Sequence, residues 1–175
     1  MQRPWASRPY TTGATRIHRA RSSDYMEVPM AIAERTANVV WTGTLTQGSG
    51  VLTLLSGATP ELPVTWASRT KRSDGKTSPE ELLAAALAAC FSMAFSSDLT
   101  EAGTPPTRLD VAATATLDKT DAGPTVTAIA LTVRGSVQGL DATAFKNAAE
   151  AASKGCPISR SLSPSVTISL DADLL

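Results

Sequence analysis

The stretch from Thr77 to Gly103, "TSPEELLAAALAACFSMAFSSDLTEAG", decides how the rest of the chain folds. It opens on Ser78-Pro79-Glu80-Glu81, which has the form of a helix start. Ser78 suits the N-cap, Pro79 the first helical position, and Glu81 stands where it can reach back as the second half of a capping box. The spacing predicts a helix from Pro79 to about Ala102. There Gly103 suits the first position past the end and Pro105-Pro106 prevents continuation. At about 1.5 Å per residue, that helix is roughly 36 Å long. Its middle is apolar nearly all round, the pattern of a helix surrounded by protein. Ala84, Ala85, Ala86, Ala88 and Ala89 let another helix or a sheet come close.

Strand patterns flank this helix. "ANVVWTGTLTQGSGVLTLLSG" reads as two strands joined at "QGSG", with Gly48 and Gly50 supplying the turn, and "LPVTWAS" as a third short strand. "RTKRSDGKT" is a polar loop. Beyond the helix, "TRLDVAATATLD" and "TVTAIALTVRGSV" form a hairpin through "KTDAGP". Asp141 caps a second helix, "ATAFKNAAEAASK", ended by Gly155. Cys156-Pro157 then opens a short third helix, "PISRSL". "SVTISLDADL" closes the chain as a half-exposed strand. The order β-β-β-α-β-β-α-α-β does not alternate strand with helix, so the expected class is α+β with mainly antiparallel sheets.

At 175 residues the chain is long enough for one domain with a real core. Lys plus Arg and Asp plus Glu number 16 each, so no charge excess favours nucleic acid or an anionic membrane. The longest apolar run, Leu82 to Phe95, falls short of the roughly 18 residues that a membrane-spanning helix needs. Residues 1–29 stand apart: Arg3, Arg8, Arg16, Arg19 and Arg21 precede the first acid, Asp24, and no apolar signal core is present. Residues 1–35 therefore read as a disordered or dispensable extension, with Met30 as an alternative start, and 36–175 as the folded domain. Without the extension the body is slightly acidic, which suits a cytoplasmic protein.

Two cysteines, Cys90 and Cys156, are too few for a secreted disulfide scaffold, and a single histidine makes a zinc site a poor reading. Cys90 lies in the middle of the apolar helix, where a buried thiol is commonly inert. Cys156 precedes Pro157 at a helix start, where backbone N–H groups favour a thiolate. Either residue also reads as a structural filler. Together they raise a joint hypothesis in which one attacks and the other resolves by forming a disulfide. Desolvation in an apolar helix raises a thiol pKa, so a reactive Cys90 needs a nearby cation. Arg69 is the best candidate, since Lys71 and Arg72 lie deeper in the loop. Glu81 is accounted for by the cap, which leaves Glu80 free to hold Arg69.

"TSPEELLAAALAACFSMAFS" and "KGCPIS" resemble the two cysteine motifs of the OsmC/Ohr family, the osmotically inducible and organic hydroperoxide resistance proteins. The resemblance spans about residues 36–173, and "FSMAFS" and "GCPIS" are closer to the OsmC branch. It implies a thiol peroxidase that reduces organic hydroperoxides and, in some members, hydrogen peroxide. Cys90 is then the peroxidatic cysteine, Cys156 the resolving one, Glu80 the catalytic glutamate and Arg69 its arginine. The implied fold is an intertwined homodimer with sheets wrapped around central helices. The implied reductant is an external dithiol, often lipoyl-type, with no resident cofactor or metal. Glu80 and Cys90 on one straight helix stand roughly 15 Å apart. Antiparallel packing of the same helix from a second subunit is therefore expected to complete the site. The rival reading is a non-catalytic dimeric module whose apolar groove binds a hydrophobic ligand. A disulfide oxidoreductase is disfavoured because no C-x-x-C is present.

Overall fold

The computed structural model describes residues 31–175. Its compact body runs from Arg35 to Leu175. The expectations for the Arg-rich segment 1–29 and for a start at Met30 lie outside the described residues.

The body follows the expected order with one added helix. Strands β1 (Ala37–Thr42), β2 (Ser49–Leu54) and β3 (Leu62–Val64) form an antiparallel sheet in that order. Helix α1 (Trp66–Thr70) and the long helix α2 (Pro79–Glu101) follow. Strands β4 (Pro106–Thr120) and β5 (Gly123–Val137) make a long antiparallel hairpin with an irregularity at Thr116/Leu117. Helices α3 (Ala142–Gly155) and α4 (Pro157–Leu162) lead into β6 (Thr167–Leu174), which pairs with β5. That last pairing is parallel, whereas β1–β2, β2–β3 and β4–β5 are antiparallel. Parallel pairing needs a crossover, and α3 and α4 supply it.

One correction concerns "LPVTWAS". Only Leu62–Val64 is strand, and Trp66–Thr70 is helical. Thr65 and Ser68 form a capping box of their own: Ser68 N–H donates to Thr65 Oγ1, and Thr65 N–H donates to Ser68 Oγ, each at 3.0 Å. A second correction concerns Ser78. Its hydroxyl accepts from Glu81 N–H as expected, but Glu81 does not reach back. Its carboxylate instead accepts from the Thr77 hydroxyl at 2.8 Å.

The core lies between the β4–β5–β6 sheet and the helices. Period-2 patterning puts Ile129, Leu131 and Val133 of β5 on one face, paired in register with Ile168, Leu170 and Ala172 of β6. Against that face α2 presents Leu87, Phe91, Phe95 and Leu99, a helical stripe that is almost fully buried. Phe95 stacks on Phe91 with centroids 5.5 Å apart and meets Phe145 of α3 edge-on at 5.1 Å. Burying each such ring contributes roughly 1.5–3 kcal/mol.

The opposite face of α2 is left open by its own chain. Ala85, Ala86 and Ala89 are exposed, and Met93 is 75% exposed. By length and composition α2 is also apolar enough to cross a membrane, with a mean hydropathy of 1.7. Its stripe of Leu and Phe is nonetheless part of the packed core. The β1–β3 sheet is likewise uncovered: Val39, Val40, Trp41 and Val51 are all exposed.

Gly135 is where β5 makes room for Phe145. A Cβ there would lie 2.5 Å from the Phe145 ring, which is fully buried and has nowhere to move. Gly135→Ala is therefore expected to destabilise the fold by about 1–3 kcal/mol, seen as a lower Tm, whereas Gly155→Ala, with open space around it, leaves Tm nearly unchanged. Equal Tm values for the two variants would contradict this packing.

Candidate active site

Four side chains were expected to act together. They meet in two pairs at separate places along α2. The first pair is Arg69 and Glu80. Arg69 sits in the last turn of α1, and Glu80 in the first turn of α2. Arg69 Nε donates to Glu80 Oε1 at 2.8 Å, and Arg69 Nη2 reaches the same oxygen at 2.7 Å. The guanidinium also lies over the Trp66 ring, 5.8 Å from its centroid. The local fold builds this arrangement. The Thr65–Ser68 box starts α1, and the Ser68 hydroxyl reaches Thr77 O at 2.8 Å, tying α1 to the residue before the α2 cap.

Glu80 is only 8% exposed, and its Oε2 is buried with no hydrogen-bond partner among the described residues. A buried carboxylate oxygen without a donor is costly, so this carboxylate keeps one acceptor open. Arg69 and Glu80 stand at one end of a groove of about 660 Å³ floored by Ala84 and Ala88 of α2 and Ala113 and Ala115 of β4. Arg72, the alternative arginine, instead lies near Asp74 at 3.7 Å in the exposed loop.

The second pair is Cys90 and Cys156. Both are free thiols, Cys90 half-buried in α2 and Cys156 fully buried. Cys156 closes α3 and opens α4: its N–H donates to Ala152 O at 2.9 Å and its carbonyl accepts from Arg160 N–H at 3.0 Å. Its φ and ψ of −58° and 124° are those favoured before proline. Cys156 belongs to the packed core cluster and Cys90 lies against it, and their surroundings push the two thiols apart in acidity. Burial pushes the Cys90 thiol up; a backbone hydrogen bond from Ile158 offsets this in part, and the Cys156 sulfur adds to the rise. Burial also opposes ionisation of Cys156, but the Ser159 N–H, the Cys90 thiol and the Ile158 N–H together bring it below the ordinary range. Within a single chain, therefore, Cys156 is the more acidic of the two thiols.

As the helix geometry implied, Arg69 does not stand beside Cys90 inside one chain. Arg69 is held by Glu80 at the start of α2, and Cys90 stands ten residues along the same helix, roughly 15 Å away. Sequence reasoning also passed over Trp66, Ser68 and Ser159. Trp66 and Ser68 were hidden by reading "LPVTWAS" as strand, although Thr65-x-x-Ser68 is itself a cap signal. Ser159 carried only the weak signal of standing three residues after Cys156.

The sequence model of the OsmC-like protein family matches residues 72–171. Peroxiredoxin OsmC of Escherichia coli K12 is 42% identical over 128 residues, covering 73% of this chain and 89% of that protein. Peroxiredoxin OsmC of Shigella flexneri matches to the same extent. Among solved structures, the organic hydroperoxide resistance protein OhrB of Bacillus subtilis superposes with a TM-score of 0.61 at 24% identity, over 79% of this chain and 98% of that one. An OsmC-like protein from Mycoplasma pneumoniae gives 0.64 at 17% identity, over 83% of this chain and 99% of that one. The two structural likenesses support the α+β fold, and the family match and the 42% identity go further: this chain belongs to the OsmC-like protein family.

Proposed function

We propose that this protein is a thiol-dependent peroxidase that reduces organic hydroperoxides, and hydrogen peroxide, to alcohol or water in defence against oxidative and osmotic stress. The observation that carries the reading is that two free thiols, one partly exposed and one buried, come from positions far apart in sequence to the same packed cluster. The 42% identity to peroxiredoxins supports a cysteine-based peroxidase.

In this reading the Cys90 thiolate attacks the distal oxygen of ROOH. The O–O bond breaks, RO⁻ takes up a proton and leaves as ROH, and Cys90 becomes a sulfenic acid. The Cys156 thiolate then attacks the Cys90 sulfur. An S–S bond forms, and hydroxide leaves and takes up a proton as water. An external dithiol, of the lipoyl type in this reading, returns both thiols by exchange, giving up two electrons and two protons per cycle. The electrons thus come from outside the chain, and the cycle calls on no resident cofactor or metal. Two free thiols also fit a reducing cytoplasm as the location.

The nucleophile is completed by a second copy of the chain. Burial raises Cys90 in a lone subunit, and a cation must offset this. The exposed alanine face of α2 and the uncovered β1–β3 sheet are the surfaces on which a second copy packs. Antiparallel pairing of two α2 helices brings the Arg69–Glu80 pair of one subunit to Cys90 of the other. The small side chains allow the close approach that this needs. The open Oε2 of Glu80 then faces the shared pocket.

Cys90→Ser is expected to lose steady-state peroxide consumption to background. Cys156→Ser is expected to consume about one equivalent per subunit and then stall or over-oxidise. Retained turnover in Cys90→Ser would falsify the assignment. Arg69→Ala and Glu80→Gln, measured singly and together by denaturant unfolding, are expected to show a coupling of about 1–3 kcal/mol. A cycle that closes at zero would remove the pair as a unit.

Ala89→Glu, on the exposed α2 face, is expected to yield monomers whose Cys90 alkylates with a higher pH midpoint than in the dimer. The reason is that the guanidinium stabilises the thiolate and its loss shifts ionisation upward. A dimer midpoint near the ordinary ~8.5 would favour the rival reading, a groove that binds a hydrophobic ligand without chemistry.

A further inference from the structure

Two cations open on one cavity beside the α3–α4 joint. The cavity holds about 420 Å³ and lies between the last turn of α3, helix α4 and the start of β6. Lys154 and Arg160 line it together with four hydroxyl residues, Ser153, Ser159, Ser163 and Thr167. It shares no residue with the groove at Arg69 and Glu80.

Neither cation has an ion-pair partner among the described residues. The acids of α3 and β6 are otherwise placed. Asp171 and Asp173 are held by Arg134, at 2.7 and 3.1 Å. Glu150 stands one turn before Lys154 on α3, but it does not line the cavity. Two like charges on one concave surface repel each other, and an anion between them relieves the repulsion. Beneath them lies Ser159, only 4% exposed, its Oγ buried with no hydrogen-bond partner among the described residues. Two residues further on, Ser161 bonds back to Pro157 O at 2.9 Å, a bond that Ser159 does not copy. A buried hydroxyl left without a partner is costly, and the polar cavity that its residue lines is where a partner belongs. One rotation about χ1 turns such a hydroxyl toward it. Basic residues are favoured in the last turn of a helix, and Lys154 and Arg160 both stand in last turns. That preference accounts for each cation taken alone. It does not account for both lining one cavity, or for the buried hydroxyl under them.

We propose that this cavity binds a phosphoryl dianion, either free phosphate or the phosphate group of a small ester, held by Lys154, Arg160 and the Ser159 hydroxyl. Such a group carries about −1.5 to −2 charges near pH 7 and three strong acceptor oxygens. The Arg160 guanidinium offers a planar fork for two of these oxygens, and the Lys154 ammonium is a compact charge for the third. The Ser159 hydroxyl donates from the floor. A carboxylate brings one charge and two oxygens, which leaves one cation unanswered. The volume exceeds what the ion alone needs, and Val166 and Ile168 give an ester group an apolar wall. The peroxidase cycle uses none of these residues, so this site stands or falls apart from that reading.

The test is calorimetric titration of the full-length protein at fixed ionic strength, with inorganic phosphate, methyl phosphate and methyl sulfate as probes. Both phosphates are expected to bind saturably, with Kd of about 1 mM or tighter. Methyl sulfate, of similar shape but single charge, is expected to bind at least about tenfold more weakly. Lys154→Gln and Arg160→Gln, both at exposed positions, are each expected to weaken methyl phosphate about tenfold, and Ser159→Ala about threefold. Lys146→Gln removes the same charge from an exposed position elsewhere on α3 and is expected to leave Kd unchanged. Tighter binding of inorganic phosphate identifies the free ion as the ligand, and tighter binding of methyl phosphate identifies an organic ester. Absence of saturable binding of either phosphate at about 10 mM would overturn the proposal. So would equal affinity for methyl sulfate, or a loss in Lys146→Gln matching that in Arg160→Gln, since either shows a diffuse response to net charge.

Discussion

The register of α2 on the β4–β5–β6 sheet is the constraint on which everything else rests. Leu87, Phe91, Phe95 and Leu99 fix both the rotation and the height of the helix. Phe145 locks α3 to the same point, through the space left by Gly135. Once α2 and α3 are held in this way, the residue on the next face of α2, Cys90, meets the residue at the end of α3, Cys156. No direct bond between the thiols is needed to bring them together, since the aromatic packing does so at a distance of one helical turn.

The electrostatics of the two pairs are divided along the same helix. At its start a guanidinium is clamped by a carboxylate and an indole ring. Near its middle a thiol sits in apolar surroundings with no cation beside it among the described residues, and Cys156 takes more of the donors. A helix is too stiff to fold its own ends together. The division is therefore built into α2 and persists however the side chains rotate. The small residues that cover the outer face of α2 fit a helix made to be approached from that side, and the bare β1–β3 sheet fits the same reading.

Much of this was legible in the sequence because the signals were local. The cap at Ser78, the stop at Gly103, the turn between β4 and β5 and the cap at Asp141 all act over a few residues, and the structure holds each of them. Glu80 and Arg69 were paired correctly from what remained once Glu81 was assigned to the cap, although Glu81 turned to Thr77 rather than to the cap backbone. The misses came from competition between local signals and from partners distant in sequence. Thr65 and Ser68 turned a strand-like run into helix. The parallel pairing of β6 depends on a crossover that no short window contains. The apolar circumference of α2 points to burial by protein, but composition alone does not say which chain does the burying.

Cys156 serves as the last residue of one helix and the first of the next. Its amide and its carbonyl are each tied to a different helix, so its backbone has no slack. A sulfur mounted at such a joint cannot swing far, and the α2 side must supply whatever motion joins the two sulfurs. In the proposed cycle Cys156 behaves as an anvil and the half-exposed thiol on α2 as the moving part. Oxidation and reduction would leave the α3–α4 junction where it is, and any strain from the bond would be felt along α2, the same helix that carries the ion pair at its other end.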